Sequence, residues 1–442
     1  MRLNGYLVKS TVVAALGGLL FGFDTVVISG TTSGLTTTYH LSPFLKGFTV
    51  SAALWGTVLG SLLAGIPGDR FGRRDSLRIM AMLYLISAIG CAGAWSWTAL
   101  VFFRFIGGLG IGGSSVLGPM YIAELAPASW RGRLVGFFQF NVVFGILVAY
   151  LSNYLIGLQH FGPAEWRWEL GVTAIPAAFF FVMLFTIPRS PRWLVKKQRI
   201  EEAREVLKMT GDANYEQDLQ DIRSSIDAEH GHAHEPLFSA KHRLPIFLAV
   251  SIAFFNQFAG INAILYYLND IFASAGFSKL SGSLQAIFVG LTNLVFTMVA
   301  MSVIDKFGRK KLLLIGAIGT CLCLVGVAAV FSTNTHTNLL IWLLVAYIAF
   351  FAFSQGAVIW VYISEVFPNR VRAKGQSLGS FTHWICAALI SLGFPALARW
   401  SKPLPFVFFA AITLVQFFVV LFIYPETKGV SLEELQKELS VV

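Results

Sequence analysis

The sequence predicts an all-α membrane protein: twelve transmembrane helices in two six-helix, pseudo-symmetric bundles, with a small cytoplasmic helical segment. Three observations lead there. Of the 442 residues, 56% are hydrophobic and only 13% are charged, far from the balance of a soluble domain. Apolar runs of roughly 20 residues, each long enough to cross a hydrocarbon core, recur along the chain. The charged turn motifs between these runs appear twice, in the same order. Because the bilayer interior has no water for stray backbone groups, runs of this kind must be helices.

Taken in order, the runs start near residues 10, 47, 77, 98, 134, 168, 244, 284, 312, 339, 375 and 404. The first resembles a secretory signal only superficially. It is too long, contains Asp24 and lacks a convincing small-residue cleavage site, so it reads as the first span. Charged turns end the second and eighth at Asp69-Arg70-Phe71-Gly72-Arg73-Arg74 and Asp305-Lys306-Phe307-Gly308-Arg309-Lys310. Longer matching elements, Tyr121 to Arg133 and Tyr362 to Lys374, follow the fourth and tenth, with Tyr, Ile, Glu, Pro and Arg aligned at a fixed offset. Each half thus repeats six spans in the same sense. Such a parallel repeat is related by an axis along the membrane normal, and carriers built on it place their substrate site between the halves near the midplane. The expected division is 1–188 and 241–425 for the bundles, 189–240 for a cytoplasmic linker and 426–442 for a tail.

The net charge of +10 is a topology signal. One set of alternating loops, with the termini, holds 27 of the 33 Lys and Arg residues, which places both termini in the cytoplasm by the positive-inside rule. A nucleic-acid partner has little support. Cys91, Cys321, Cys323 and Cys386 all fall in apolar runs, without the spacing of a zinc site or a disulfide framework. In the linker, Ile200 to Lys208 has helical spacing and stops at Gly211, and a second polar helix is expected from Tyr215 to Ile226. Nearby His230, His232 and His234 could chelate a metal, but nothing else completes a site and a solvated linker is the preferred reading. No cofactor is implied.

Two charges lie inside the apolar runs. Asp24 stands mid-helix in Gly22-Phe23-Asp24-Thr25, where a carboxylate costs roughly 2.5 to 3.5 kcal/mol even on low scales, so it is expected to face a cavity or partner and to handle protons or ions. Arg104, within the fourth span, is its natural counterpart. Arginine favours the charged carboxylate and burial without a partner favours the neutral acid, so separating the two would promote proton uptake. On the cytoplasmic face, Asp69, Arg70, Arg73 and Arg74, and again Asp305 and Arg309, face complementary charges at Glu124 with Arg131 and Glu365 with Arg372. Isolated surface pairs contribute roughly 0 to 1 kcal/mol each. Repetition of the whole constellation favours a latch that closes this side when the other is open.

Gly-Phe-Asp at 22–24, Gly-Asp-Arg-Phe-Gly-Arg-Arg at 68–74, Pro-Met-Tyr-Ile-Ala-Glu at 119–124, Ser-Pro-Arg-Trp-Leu at 190–194, Asn-Gln-Phe-Ala-Gly-Ile-Asn at 256–262 and Pro-Glu-Thr-Lys-Gly at 425–429 occur in order. Over nearly its whole length the chain closely resembles the sugar porter family of the major facilitator superfamily. Members carry monosaccharides, either passively or with a proton. Bacterial proton symporters have aspartate at the position of Asp24 and facilitative animal glucose carriers have asparagine, so the resemblance implies a symporter.

A sugar pocket needs amides that both donate and accept, beside an aromatic face. Gln139, Asn256, Gln257, Asn262 and Asn293 are amides inside the spans. Of these, Gln139, Gln257, Asn262 and Asn293 resemble the family's sugar ligands, with Phe21, Trp360 and Trp384 lining the site. Each amide alone could equally be interhelical glue. On a continuous helix Gln257 and Asn262 stand about 140° apart, so Gly260 between them is expected to bend span 7. Tyr266, which shares the face of Asn262, and adjacent Tyr267 resemble outer-gate tyrosines. The chain departs from the family pattern in several places. Asn256 stands for a common glutamine, His383 for an amide, and Arg189 for a glutamate. The stretch Gly356 to Trp360 lacks a proline that usually accompanies its kink. His383 can bind sugar, titrate or hydrogen-bond within the bundle.

These features predict a proton-coupled monosaccharide symporter working by alternating access, functional as a monomer in a bacterial inner membrane. Its partners are a monosaccharide, a proton and the lipid bilayer. A facilitative uniporter is the close alternative. A sugar sensor is disfavoured by the short tail, an enzyme by the lack of a nucleophile with a paired base, and a channel by the paired repeats.

Overall fold

A computed structural model of the chain describes residues 4–127, 130–210, 214–231, 236–368 and 370–428, with side chains at 227–231 outside the described set. Among the described residues the regular structure is entirely helical. Eleven helices are long and apolar enough to cross a membrane, and a pair bent by 48° supplies a twelfth span. In chain order, spans 1 to 6 are Gly5–Tyr39, the bent pair Pro43–Leu63 with Gly65–Phe71, Arg73–Ala92, Trp97–Leu125, Arg131–Gly157 and Gly162–Thr186. Spans 7 to 12 are Ala240–Tyr266, Lys279–Phe307, Arg309–Thr333, Leu339–Val366, Arg372–Trp400 and Leu404–Ile423. All twelve apolar runs read from the sequence are therefore helices.

The two charged turns have nearly identical backbones. Gly72 has φ 89° and ψ 160°, and Gly308 has φ 87° and ψ 160°, each ending one helix and starting the next. Only glycine occupies that region at low cost.

Two spans are broken inside the apolar zone. Span 7 stops at Phe258 and restarts at Ile261, with Gly260 left-handed at φ 93°. Span 10 divides at Ser354, whose φ and ψ are −120° and −90°. Its hydroxyl donates to the Phe350 carbonyl at 2.6 Å, a back-bond of the kind that bends helices. A break in helical geometry is present close to where the missing proline put the kink in doubt, at Ser354, two residues before Gly356.

Two compact units divide the chain, each assembled from separate stretches. The first comprises Met1–Thr25, Gly56–Ile146 and Leu170–His234, and the second Val26–Trp55, Leu147–Glu169 and Glu235–Val442. The first unit's core joins Leu20, Leu77, Leu117 and Phe180 to Trp193 and Leu207 of the linker. The linker forms the short helices Pro191–Lys196, Ile200–Met209 and Tyr215–Gly231, so its apolar face is docked on the bundle. In the second unit, Leu248, Leu312, Val358, Tyr362 and Val420 form a separate core. Gly211 and the side chains of His230, His232 and His234 lie outside the described residues.

Candidate functional site

In the second unit, the break in span 7 gathers the predicted amides. The Gln257 amide nitrogen donates to Asn256 Oδ1 at 3.0 Å and approaches His383 Nε2 at 3.1 Å, while its carbonyl oxygen accepts from Asn262 Nδ2 at 2.7 Å. Asn256 Nδ2 in turn donates to the Gln355 carbonyl beside the break in span 10, at 3.3 Å. His383 thus serves as a hydrogen-bonding member of the cluster, and acceptance from Gln257 requires an unprotonated ring nitrogen. The imidazole lies between two indoles, with centroids 5.0 Å from Trp360 and 4.9 Å from Trp384. Trp384 is buried, whereas Trp360 remains 39% exposed and offers an open aromatic face next to the amides. Asn293 in span 8 is 8% exposed, with Thr297 Oγ1 3.4 Å from its Oδ1.

Tyr266 and Tyr267 follow on the far side of the break, both buried. The Tyr267 hydroxyl donates to the Ser391 carbonyl at 2.7 Å, and its ring stacks on Phe394 at 5.0 Å.

In the first unit, Asp24 and Arg104 are 6% and 3% exposed and lie within electrostatic reach of each other. No ion pair within 4 Å joins them among the described residues. Arg104 Nε is buried with no hydrogen-bond partner, and a Cβ placed on Gly107 would stand 3.7 Å from Asp24 Oδ2. The pair is close but unlatched, an arrangement in which a small movement changes the field on the carboxyl. Phe21 packs beside the core of this unit, and Gln139 is half-buried on span 5.

The charge networks are two copies of one design. In the first, Arg73 Nε donates to Glu124 at 3.0 Å, Arg73 Nη1 to the Gly68 carbonyl at 2.9 Å, and the same nitrogen pairs with Asp69 at 3.2 Å. In the second, Arg309 Nη2 meets Glu365 at 2.8 Å, Nη1 the Ile304 carbonyl at 3.4 Å and Asp305 at 3.0 Å. A hydroxyl completes each: Ser190 donates to Glu124, and Thr427 to Glu365 at 2.6 Å. A tyrosine ties each to a proline carbonyl, Tyr121 to Pro188 at 2.8 Å and Tyr362 to Pro425 at 3.3 Å.

Several expected members stand outside this design. Arg131 is exposed and forms no ion pair among the described residues, and Arg372 Nε donates instead to the Phe367 carbonyl at 3.3 Å. Arg70 lies over the Phe71 ring, and Arg74 pairs with Asp75 at 2.9 Å. The reason is reach, because Ser190 and Thr427 fold back onto the glutamates from segments distant in sequence. Their positions just after matching prolines, Pro188 and Pro425, were the available signal.

The copies differ at one point. Glu426 accepts from the Arg309 and Lys310 amides at 2.8 and 3.1 Å, placing an anion at the start of span 9. The corresponding Arg189 cannot, and pairs with Asp75 at 3.1 Å instead. Asp75 is in the first turn of span 3, so the anion there comes from within the helix.

On the opposite face, within the second unit, Lys46 pairs with Asp270 at 2.9 Å. Lys279 pairs with Glu165 at 2.6 Å and with Glu169 at 3.4 Å, the latter fully buried. Sequence reading singled out none of these, since partners so far apart in the chain carry no local signature.

Residues 10–439 match the family model described as sugar (and other) transporter. The D-xylose-proton symporter of Escherichia coli K12 is 37% identical over 475 residues, covering 98% of this chain and 96% of that protein. The arabinose-proton symporter of Bacillus subtilis is 36% identical, covering 98% and 95%. A solved structure of the E. coli xylose transporter XylE in an inward-open conformation superposes with a TM-score of 0.88 at 37% identity, covering 98% of this chain and all of that one. The repeated networks, the broken spans 7 and 10 and the full-length match agree: the chain belongs to the sugar (and other) transporter family of the major facilitator superfamily.

Proposed function

We propose that this protein is a proton-coupled monosaccharide symporter of the cell membrane, working by alternating access. The observation that carries this reading is the pairing of two chemistries: a buried, unlatched Asp24 and Arg104 to handle the proton, and a satisfied amide cluster beside an exposed indole to take a sugar. Relatives named as xylose-proton and arabinose-proton symporters support it. One proton moving down about 150 mV supplies roughly 3.5 kcal/mol, enough for accumulation of a few hundredfold.

In this account Gln257, Asn262 and Asn293, with Asn256 and His383 behind them, hydrogen-bond the sugar hydroxyls, and Gln139 and Phe21 are the first unit's candidates for sugar contact. Trp360 and Trp384 supply the aromatic face, and Tyr266 and Tyr267 close over the sugar. Residues 1–188 and 241–425 are the two moving halves. The excess of Lys and Arg puts both termini and the Arg73 and Arg309 networks in the cytoplasm, where the networks latch the inner side. The protein works as a monomer in a bacterial inner membrane.

The test is uptake of labelled xylose and glucose into liposomes containing the purified protein, with and without an imposed inward proton gradient. Gradient-driven accumulation is expected. Equilibration indifferent to the gradient would make the protein a uniporter.

A further inference from the structure

The proposed topology places one end of spans 7, 9 and 11 at the outer membrane surface, and there the second unit holds a cavity of about 530 Å³. Its lining includes the aromatic residues Tyr267, Phe331, Phe394 and Phe406, and it carries Lys46, Arg399 and Lys402 against a single carboxylate, Asp270. Lys46 and Asp270 neutralise each other at 2.9 Å. Lys402 Nζ is fixed by a hydrogen bond to the Ser274 carbonyl at 3.0 Å, which spends no charge. Arg399 is exposed and has no partner among the described residues. The cavity therefore presents two uncompensated cations beside a mostly apolar lining, in which Phe331 is partly exposed and Phe394 and Phe406 are buried.

Depth points to the occupant. The cavity lies where spans 9 and 11 end and span 12 begins, at Thr333, Trp400 and Leu404. Trp400, next to Arg399, is 84% exposed, as an indole at the headgroup level of a bilayer would be. A soluble anion would satisfy the cations and leave the apolar lining unused. A neutral sugar would leave the cations unused. A lipid with an anionic head meets both, with its phosphate at Arg399 and Lys402 and the first part of its acyl chains against Phe331, Pro43, Pro395 and Ala398.

We infer that this cavity is a binding site for an anionic phospholipid of the outer leaflet, of the phosphatidylglycerol type. Because Pro43 and Lys46 of span 2 share the site with spans 7 and 11, the bound lipid bridges these elements and supports the arrangement in which Lys46 meets Asp270.

The experiment is native mass spectrometry of the delipidated full chain titrated with phosphatidylglycerol, phosphatidylethanolamine or phosphatidylcholine. Wild type is compared with the double variant Arg399→Ala/Lys402→Ala and the charge-keeping Arg399→Lys/Lys402→Arg. Thermal unfolding of each delipidated protein, which neither variant should alter, reports folding. Phosphatidylglycerol should bind wild type and the charge-keeping variant with one tight site that weakens at least fivefold in the double alanine variant. The other two lipids should bind all three proteins alike. Equal phosphatidylglycerol binding by all three proteins would overturn the site. So would a loss of phosphatidylethanolamine binding equal to that of phosphatidylglycerol, or displacement of the lipid by millimolar inorganic phosphate, which would make it a free-anion site.

Discussion

Asn262 Nδ2 donates to Gln257 Oε1 at 2.7 Å, although the two residues would stand about 140° apart on a continuous helix. Gly260 makes the contact possible by entering the left-handed region at φ 93° between the two halves of span 7. An added Cβ would also run into the Phe409 ring. The polar cluster therefore depends on one residue with no polar atom in its side chain.

Gly260→Ala is expected to destabilise the protein by about 2 to 5 kcal/mol, combining left-handed strain with overpacking. Sugar binding should fall with it. Thermal unfolding in detergent and a binding isotherm check both effects, and Phe409→Leu in the Gly260→Ala background should recover only the overpacking part. A Gly260→Ala protein that melts and binds like wild type would remove the break from the account.

The charge networks predict unequal losses within one ion-pair group. Glu124 is 9% exposed at its side chain and Asp69 57%, although both contact Arg73. Removing Arg73 leaves Glu124 buried without a cation, so Arg73→Ala should cost about 3 to 5 kcal/mol, whereas Asp69→Ala should cost about 1 kcal/mol or less. Arg309→Ala should be milder than Arg73→Ala, because Glu365 is 23% exposed and water can take over. Melting temperatures of the three variants rank these effects, and equal losses for Arg73→Ala and Asp69→Ala would contradict them.

Arg189 and Asp75 form a pair whose counterpart in the other half is differently wired. Arg189→Glu should lower stability and transport by placing a carboxylate beside Asp75, and adding Asp75→Asn should restore much of the loss by removing that repulsion while the introduced carboxylate takes over Arg74 and Arg78. A double variant no better than Arg189→Glu alone would show that the pair is not acting as a unit. The measurement is a double-mutant cycle on initial uptake rate.

Much of this was legible in the sequence, for identifiable reasons. Twelve spans and the paired turns follow from hydropathy and from glycines at repeated positions, both local signals. The conflict between Gln257 and Asn262 on a continuous helix points to a bend at Gly260. The helix break at Ser354 is hidden because a serine back-bond has no distinctive sequence pattern, unlike a proline. Arg131 and Arg372 looked like latch members because they sit near the glutamates in sequence. The hydroxyls that meet these glutamates in the structure, Ser190 and Thr427, lie 66 and 62 residues away. Lys46 and Asp270 are separated by 224 residues, and only tertiary structure pairs them.

Lys279 lies 3.4 Å from the fully buried Glu169. Lys279→Met should cost about 3 to 5 kcal/mol by leaving that carboxylate uncompensated. Adding Glu169→Gln should recover most of the loss, since a neutral amide needs no cation. If Lys279→Met melts like wild type, then Glu169 is held by something other than this ion pair.

The central claim is that Asp24 carries the proton that drives sugar uptake, and comparing wild type with Asp24→Asn in liposomes tests it most directly. Uptake against a concentration gradient under an inward proton gradient should be lost in Asp24→Asn, while sugar exchange at equal concentrations on both sides should persist. Accumulation retained in Asp24→Asn would contradict the claim and leave Asp24 as a structural neighbour of Arg104.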